Sequence, residues 1–188
     1  MDQTGKPLRC GQDPQRKMVK PAQPQRLVHE IPPFVPEGAK VLILGSFPSP
    51  KSREAKFFYG HPQNRFWSVL AEVFGDEPPG TTDEKKAFLE AHHIALWDTI
   101  ASCEITGASD ASIKNAEVNP VDELLDRTGI RHVFTTGKAS GRLYAKYLED
   151  RTGIPAVVLP STSPANRAVS REQIVEAYRQ VAEAAGQA

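Results

Sequence analysis

Apolar residues fall along this chain in short unbroken runs, separated by longer stretches with helical spacing. Val41 to Leu44 form a continuous apolar run closed by Gly45, the pattern of a strand buried on both faces. Residues 132–136 and 156–159 read as two further strands, and 94–97 as a short one. Between them the spacing becomes helical: over 65–74, over a segment opening at Thr82 or Asp83 and ending near His93, and over 138–149. In the last helix Ile174, Val175, Tyr178, Val181 and Ala182 share one apolar face, and Ser170 with Gln173 has the spacing of a capping box. Asn119 followed by Pro120 predicts an N-cap and first helical residue for a helix stopping at Gly129. Residues 46–56 and 104–118 read as loops, and no segment repeats another. Strands alternating with helices predict an α/β fold, a three-layer αβα sandwich around a mostly parallel central sheet.

Composition adjusts this picture at its ends. With 188 residues and 39% hydrophobic content the chain supports one packed core. Net charge is zero, which argues against a strongly basic nucleic-acid binder, but the charge is unevenly spread. Up to Arg26 the basic residues Lys6, Arg9, Arg16, Lys17, Lys20 and Arg26 face only Asp2 and Asp13, a balance of +4, so the remainder carries −4. Residues 1–27 are expected to be a disordered basic tail and residues 28–188 a single domain. There is no apolar run of signal-peptide length and none approaching the roughly 20 residues of a membrane helix. Cys10 and Cys103 cannot supply a four-cysteine metal site, and His29, His61, His92, His93 and His132 lack metal-ligand spacing. No metal and no cofactor are expected, and a reducing, cytoplasmic setting fits isolated thiols.

Candidate chemistry collects in two loops that follow strands, where open α/β sheets build their sites. The first runs from Gly45, Ser46 and Phe47 through Tyr59, His61 and Asn64. Its opening offers backbone N–H groups to an anion or a ring oxygen. It lacks the Gly-Lys-Ser/Thr ending of a nucleotide-binding loop, and 137–140 lacks that loop's upstream glycine. Phe57 and Phe58 read as core, whereas Tyr59, between polar loop residues and Gly60, can stack on a flat ring. His61 is either a proton donor or a structural hydrogen-bonder. Asn64 precedes a helix and so fits an N-cap, and its carboxamide equally fits the orientation of a water or the stabilisation of a sugar cation. The second loop, 159–167, contains Ser161, Ser163, Ala165, Asn166 and Arg167. Lys51 and Arg53 are candidate phosphate contacts. A serine hydrolase using Ser46 or Ser161 with His61 is the weakest alternative, since the Gly-x-Ser-x-Gly elbow is missing.

The span 45–67, the loop 109–115 and the span 159–167 together resemble the hypoxanthine-DNA glycosylase family of the uracil-DNA glycosylase superfamily. The similarity runs from about Pro32 to Val181, and the tract from His61 to Trp67 is also similar to that of mismatch-specific uracil glycosylases. The resemblance implies a uracil-DNA glycosylase-like fold and a monofunctional, metal-independent enzyme that flips a deaminated base from DNA and hydrolyses its glycosidic bond. Hypoxanthine is the first candidate base and uracil the second. The implied partner is double-stranded DNA, with single-stranded DNA as a second form, no membrane, and a monomer that associates with the nucleoid while acting. Mismatch-specific relatives carry a water-positioning Asn two residues after the first-loop glycine, where this chain has Phe47. The hypoxanthine family places that role on the Asn that is Asn64 here. Tyr59 matches the aromatic that stacks on the flipped base, and Asp110, Ser112 and Asn115 fall in a pocket-facing loop. Ser161 and Ser163 match phosphate donors, while Ala165, Asn166 and Arg167 match the residues entering the gap left by the extruded nucleotide. A non-catalytic nucleotide or damaged-DNA binding module with the same fold is the alternative. Asn64 separates the two, because only an enzyme needs its carboxamide.

Overall fold

The computed structural model describes residues 24–106 and 110–186. Four apolar strands, β2 (Val41–Gly45), β3 (Ile94–Asp98), β6 (His132–Thr136) and β7 (Ala156–Leu159), form a parallel sheet in the order β3-β2-β6-β7. The central strand β2 and its neighbour β3 are buried at every position, as their unbroken apolar runs require. A second, antiparallel sheet holds β1 (Gln25–Val28), β4 (Ile100–Ile105) and β5 (Lys114–Val118) in the order β1-β4-β5. Helices α1 (Pro50–Ala55), α2 (Phe66–Phe74), α3 (Thr82–Ala91), α4 (Val121–Asp126), α5 (Lys138–Tyr147), α6 (Glu149–Thr152) and α7 (Arg171–Ala185) complete the α/β fold around the parallel sheet.

Helix α2 packs along α7, where Phe66 meets Tyr178 edge-on at 6.4 Å between ring centroids. The expected apolar face of α7 is buried throughout, and both halves of its capping box, Ser170 and Gln173, are made. Helix α5 covers β6 and β7. Its Ser140 hydroxyl, fully buried, donates to the carbonyls of Leu44 (3.1 Å) and Gly45 (2.9 Å) and meets Thr99 Oγ1 at 2.8 Å. This knot of hydroxyls satisfies the carbonyls released where β2 ends, and so fixes the carboxyl edge of the sheet.

Four segments differ from the sequence expectation. Within the expected loop 46–56, Ser49 caps α1 by accepting from Ser52 N, and Pro50 starts the helix. The expected loop 104–118 holds the end of β4 and all of β5. Strand β5 has no apolar alternation and forms by pairing with β4 through two register shifts. Asn119 does not cap α4: its Nδ2 donates to the carbonyls of Asp98 (2.8 Å) and Ile100 (3.2 Å), and α4 runs only to Asp126. Most of the expected tail, residues 1–23, and Cys10 lie outside the described residues. The remainder of that tail, from Gln25, is β1, which pairs with β4 from Gln25 opposite Ile105 to Val28 opposite Ser102.

Candidate active site

At the carboxyl edge of the parallel sheet a cavity of about 420 Å³ opens between the two sheets, within the usual range for a small-molecule site. Gly45, Ser46, Phe47, Tyr59, Asn64, Ser161, Ser163, Ala165 and Asn166 all line it, so residues over a hundred positions apart in sequence share one wall. The β2 end supplies the first three. The turn between α1 and α2 supplies Tyr59 and Asn64, and the loop after β7 supplies the rest.

Tyr59 is built as a platform. One face of its ring lies against Phe66, with centroids 3.6 Å apart and planes within 10°. Its hydroxyl meets Thr136 Oγ1 at 3.1 Å. Its backbone sits at φ 50°, an unusual conformation for a non-glycine residue, maintained here by packing. Burial raises the phenol pKa well above its ordinary value, with the neighbouring Tyr178 and Asp98 adding to the effect, so the group stays a neutral donor. Gly60 closes the approach of this turn to α1: a Cβ there would press within 3.0 Å of the Lys51 carbonyl.

Asn64 combines the two roles read from sequence. Its Oδ1 accepts from Phe66 N at 3.0 Å, next to the start of α2, and its side chain lines the cavity. That bond assigns the carboxamide orientation and leaves Oδ1 with a second lone pair. Arg65 joins the two loops: its backbone N–H donates to the Thr162 carbonyl (3.1 Å), and its guanidinium donates to the Asn166 carbonyl (2.9 Å). Within the second loop Asn166 Nδ2 donates to the Ser161 carbonyl (2.8 Å), and Ser163 Oγ accepts from Ala165 N (3.3 Å).

Other expected residues lie outside the cavity wall. His61 Nδ1 accepts from Gln63 N at 3.1 Å, which gives the ring a turn-stabilising bond and no contact to either serine of the hydrolase reading. Ser112 Oγ bonds the backbone of Thr106 on both its N–H and carbonyl, and Asn115 is an exposed residue of β5 at φ 47°. Lys51 is exposed and paired with Glu54 at 2.7 Å, and Arg167 is exposed beside the second loop.

The wall also holds Asp110 and Arg53, named in the sequence as a pocket-loop residue and a candidate phosphate contact, and Asp98, which the sequence does not single out. Asp110 lies in an exposed turn, yet its carboxylate reaches inward and accepts from Ser46 Oγ at 2.7 Å. Withdrawal from water raises its pKa, and the Asp98 charge adds to this against the Ser46 bond. Arg53 reaches the same cavity with its Nε buried and unpartnered among the described residues. Asp98, at the end of β3, is buried and bonded to His29 at 2.7 Å. In sequence Asp98 ends a hydrophobic run, a weak sign of a strand-end site residue, whereas His29 carries no sign at all. Among the described residues no group of three or more His, Cys, Asp or Glu side chains could hold a metal ion, and no helix is long and apolar enough to cross a membrane.

Residues 32–184 match the family model of the Uracil DNA glycosylase superfamily. Two curated relatives named hypoxanthine DNA glycosylase are similar over most of their length. The one from Methanosarcina barkeri is 33% identical over 73% of this chain and 87% of its own. The one from Methanosarcina acetivorans is 32% identical over 76% of this chain and 90% of its own. The solution NMR structure of a candidate uracil DNA glycosylase from Methanosarcina acetivorans superposes with a TM-score of 0.70 at 28% identity, covering 84% of this chain and 99% of that one.

Proposed function

Since the chain belongs to the uracil DNA glycosylase superfamily and is a DNA glycosylase, we propose that it removes hypoxanthine from duplex DNA by hydrolysing the glycosidic bond of a flipped nucleotide. The observation that carries this reading is the cavity itself. It is large enough for a nucleobase, floored by a Tyr59 ring whose far side is backed by Phe66, and bordered by Asn64.

A base extruded from the helix trades its stacking on neighbours for stacking on Tyr59, an exchange of about 1–3 kcal/mol in single-base systems. Breaking the bond leaves a cationic, oxocarbenium-like sugar, stabilised by the surrounding DNA phosphates. Asn64 is too weak a base to take a proton. Its role is orientation: the free lone pair of Oδ1 accepts an O–H from a water and aims that water's own lone pair at C1′, and the proton this water loses neutralises the purine anion that departs through N9. Serine hydroxyls of the second loop and the Arg53 guanidinium, whose Nε has no partner among the described residues, contact phosphate, and Ala165 to Arg167 occupy the gap in the stack. On this reading the nucleophile is the oriented water, so the reaction is monofunctional and metal-independent, in keeping with a cavity wall that has no lysine among the described residues. The enzyme acts as a monomer, in the cytoplasm at the nucleoid.

The test uses end-labelled duplexes carrying hypoxanthine or uracil opposite each normal base, incubated with EDTA and resolved before and after alkali. Breakage at hypoxanthine only after alkali is the expected result. Breakage before alkali would make the enzyme a strand-cleaving lyase, and duplex binding with no alkali-sensitive site would make the chain a binding module.

A further inference from the structure

We propose that Asp98, held in place by His29, reads the imino N–H of the extruded base and so selects hypoxanthine over uracil; the inference rests on the glycosylase reading above.

Asp98 is opposite Gly45 in the register of β3 and β2, at the carboxyl edge where both strands end against the cavity. A Cβ on Gly45 would collide with Asp98 Oδ1, so the missing side chain at 45 leaves this oxygen its place in the wall. The other oxygen, Oδ2, is taken by His29 Nε2 at 2.7 Å, with side-chain exposures of only 2% for His29 and 8% for Asp98. His29 is itself fixed. Its backbone N–H donates to the Ala101 carbonyl at 2.7 Å, and its ring packs edge-on against Phe47 with centroids 6.0 Å apart. A carboxylate only accepts, so Nε2 is the protonated ring nitrogen and the carboxylate is locked in one rotamer. The other charged residues among those lining the cavity are Asp110, bonded to Ser46, and Arg53, on α1.

This arrangement suits one base edge. On hypoxanthine the N1–H donor is flanked by the O6 carbonyl on one side and by C2–H on the other. With Oδ2 held by His29, Oδ1 can accept from N1–H with a repelling carbonyl, O6, on one side only. On uracil the N3–H is flanked by carbonyl oxygens on both sides, so the same Oδ1 meets a repelling acceptor whichever way the ring is turned. Adenine presents an acceptor at N1 and is refused outright. Guanine shares the N1–H, and its firm pairing with cytosine makes it costlier to extrude, which supplies the remaining discrimination. A buried acceptor left facing an acceptor is the kind of mismatch by which sites discriminate most strongly.

Excision of hypoxanthine and of uracil would be measured under single-turnover conditions for wild type, Asp98→Asn, His29→Ala and His29→Gln, with melting temperatures recorded for each. The ratio of the two single-turnover rate constants is the readout, since a merely structural role would lower both together. Asp98→Asn is expected to lower the ratio by about 10²-fold, because its amide can donate to a uracil carbonyl. His29→Ala is expected to lower it by about tenfold by freeing the carboxylate, and His29→Gln, which keeps a donor, to restore most of it. An unchanged ratio in Asp98→Asn, or equal losses on the two bases, would overturn the proposal. If wild type excises neither base, the glycosylase reading fails separately. Binding of duplexes with non-hydrolysable 2′-fluorinated inosine or uridine then decides the pocket's preference, and equal binding of the two would overturn it.

Discussion

The two sheets meet at the cavity and bring different chemistry to it. The parallel sheet contributes strand ends, backbone groups and the loops bearing Tyr59, Asn64 and Ser161 to Asn166, with the end of β2 tied to a buried knot of hydroxyls at Thr99 and Ser140. The antiparallel sheet contributes Leu27 and Ile105 to the wall, brings His29 to Asp98 and carries the turn with Asp110. On our reading the parallel side performs the reaction and carries the base-reading Asp98, while the antiparallel side, through His29, holds that carboxylate in place. Rigid, fully buried strands suit a group that must be positioned for attack, whereas a peripheral sheet can vary its residues without disturbing that geometry.

The division is most easily broken at Asn64. Asn64→Ala should lower the single-turnover excision rate by about 10²- to 10³-fold on hypoxanthine while leaving duplex affinity near wild type. It should also cost about 1 kcal/mol of stability through the lost bond to Phe66 N, seen as a small fall in Tm. Tyr59→Ala should lower kcat/KM by about 10- to 100-fold, and Tyr59→Phe, which keeps the ring on Phe66, should recover most of that loss. Arg65→Ala removes the guanidinium that holds the second loop by the Asn166 carbonyl. It should weaken duplex binding by about tenfold in a titration, with the rate at saturating enzyme little changed. The smallest effect belongs to the antiparallel side. The folded-state pKa of Asp110 is raised, so the folded protein holds that proton more tightly than the unfolded chain. Its contribution favours folding at low pH and is lost as pH rises through the interval above the ordinary carboxylate value. Asp110→Asn should therefore raise Tm slightly at pH 7 and leave it unchanged near pH 3, in melts recorded across that range.

The same two sheets differ in how far they could be read from the chain. Strands β2, β3 and β6 were legible because burial on both faces leaves an apolar run, and the helix over residues 66–74 because its spacing is unambiguous. Strand β5 has a solvated, mostly charged and small-residue sequence, and only its long-range partner β4 makes it a strand. Asn119 shows the same override. Its local signal is that of a cap, but two carbonyls at the β3–β4 corner claim its amide. In the site, Asn64 and Tyr59 were legible because one short segment carries both. The His29–Asp98 pair spans 69 positions and joins two sheets, so nothing in either neighbourhood announces it.

The central claim is base release, and chromatography of the free base tests it most directly. A duplex with hypoxanthine opposite thymine would be incubated with excess wild-type protein and EDTA, and the small-molecule fraction and the strand analysed separately. The account predicts one equivalent of free hypoxanthine and an unbroken strand with a single abasic site. A duplex that is bound but keeps its base would contradict it.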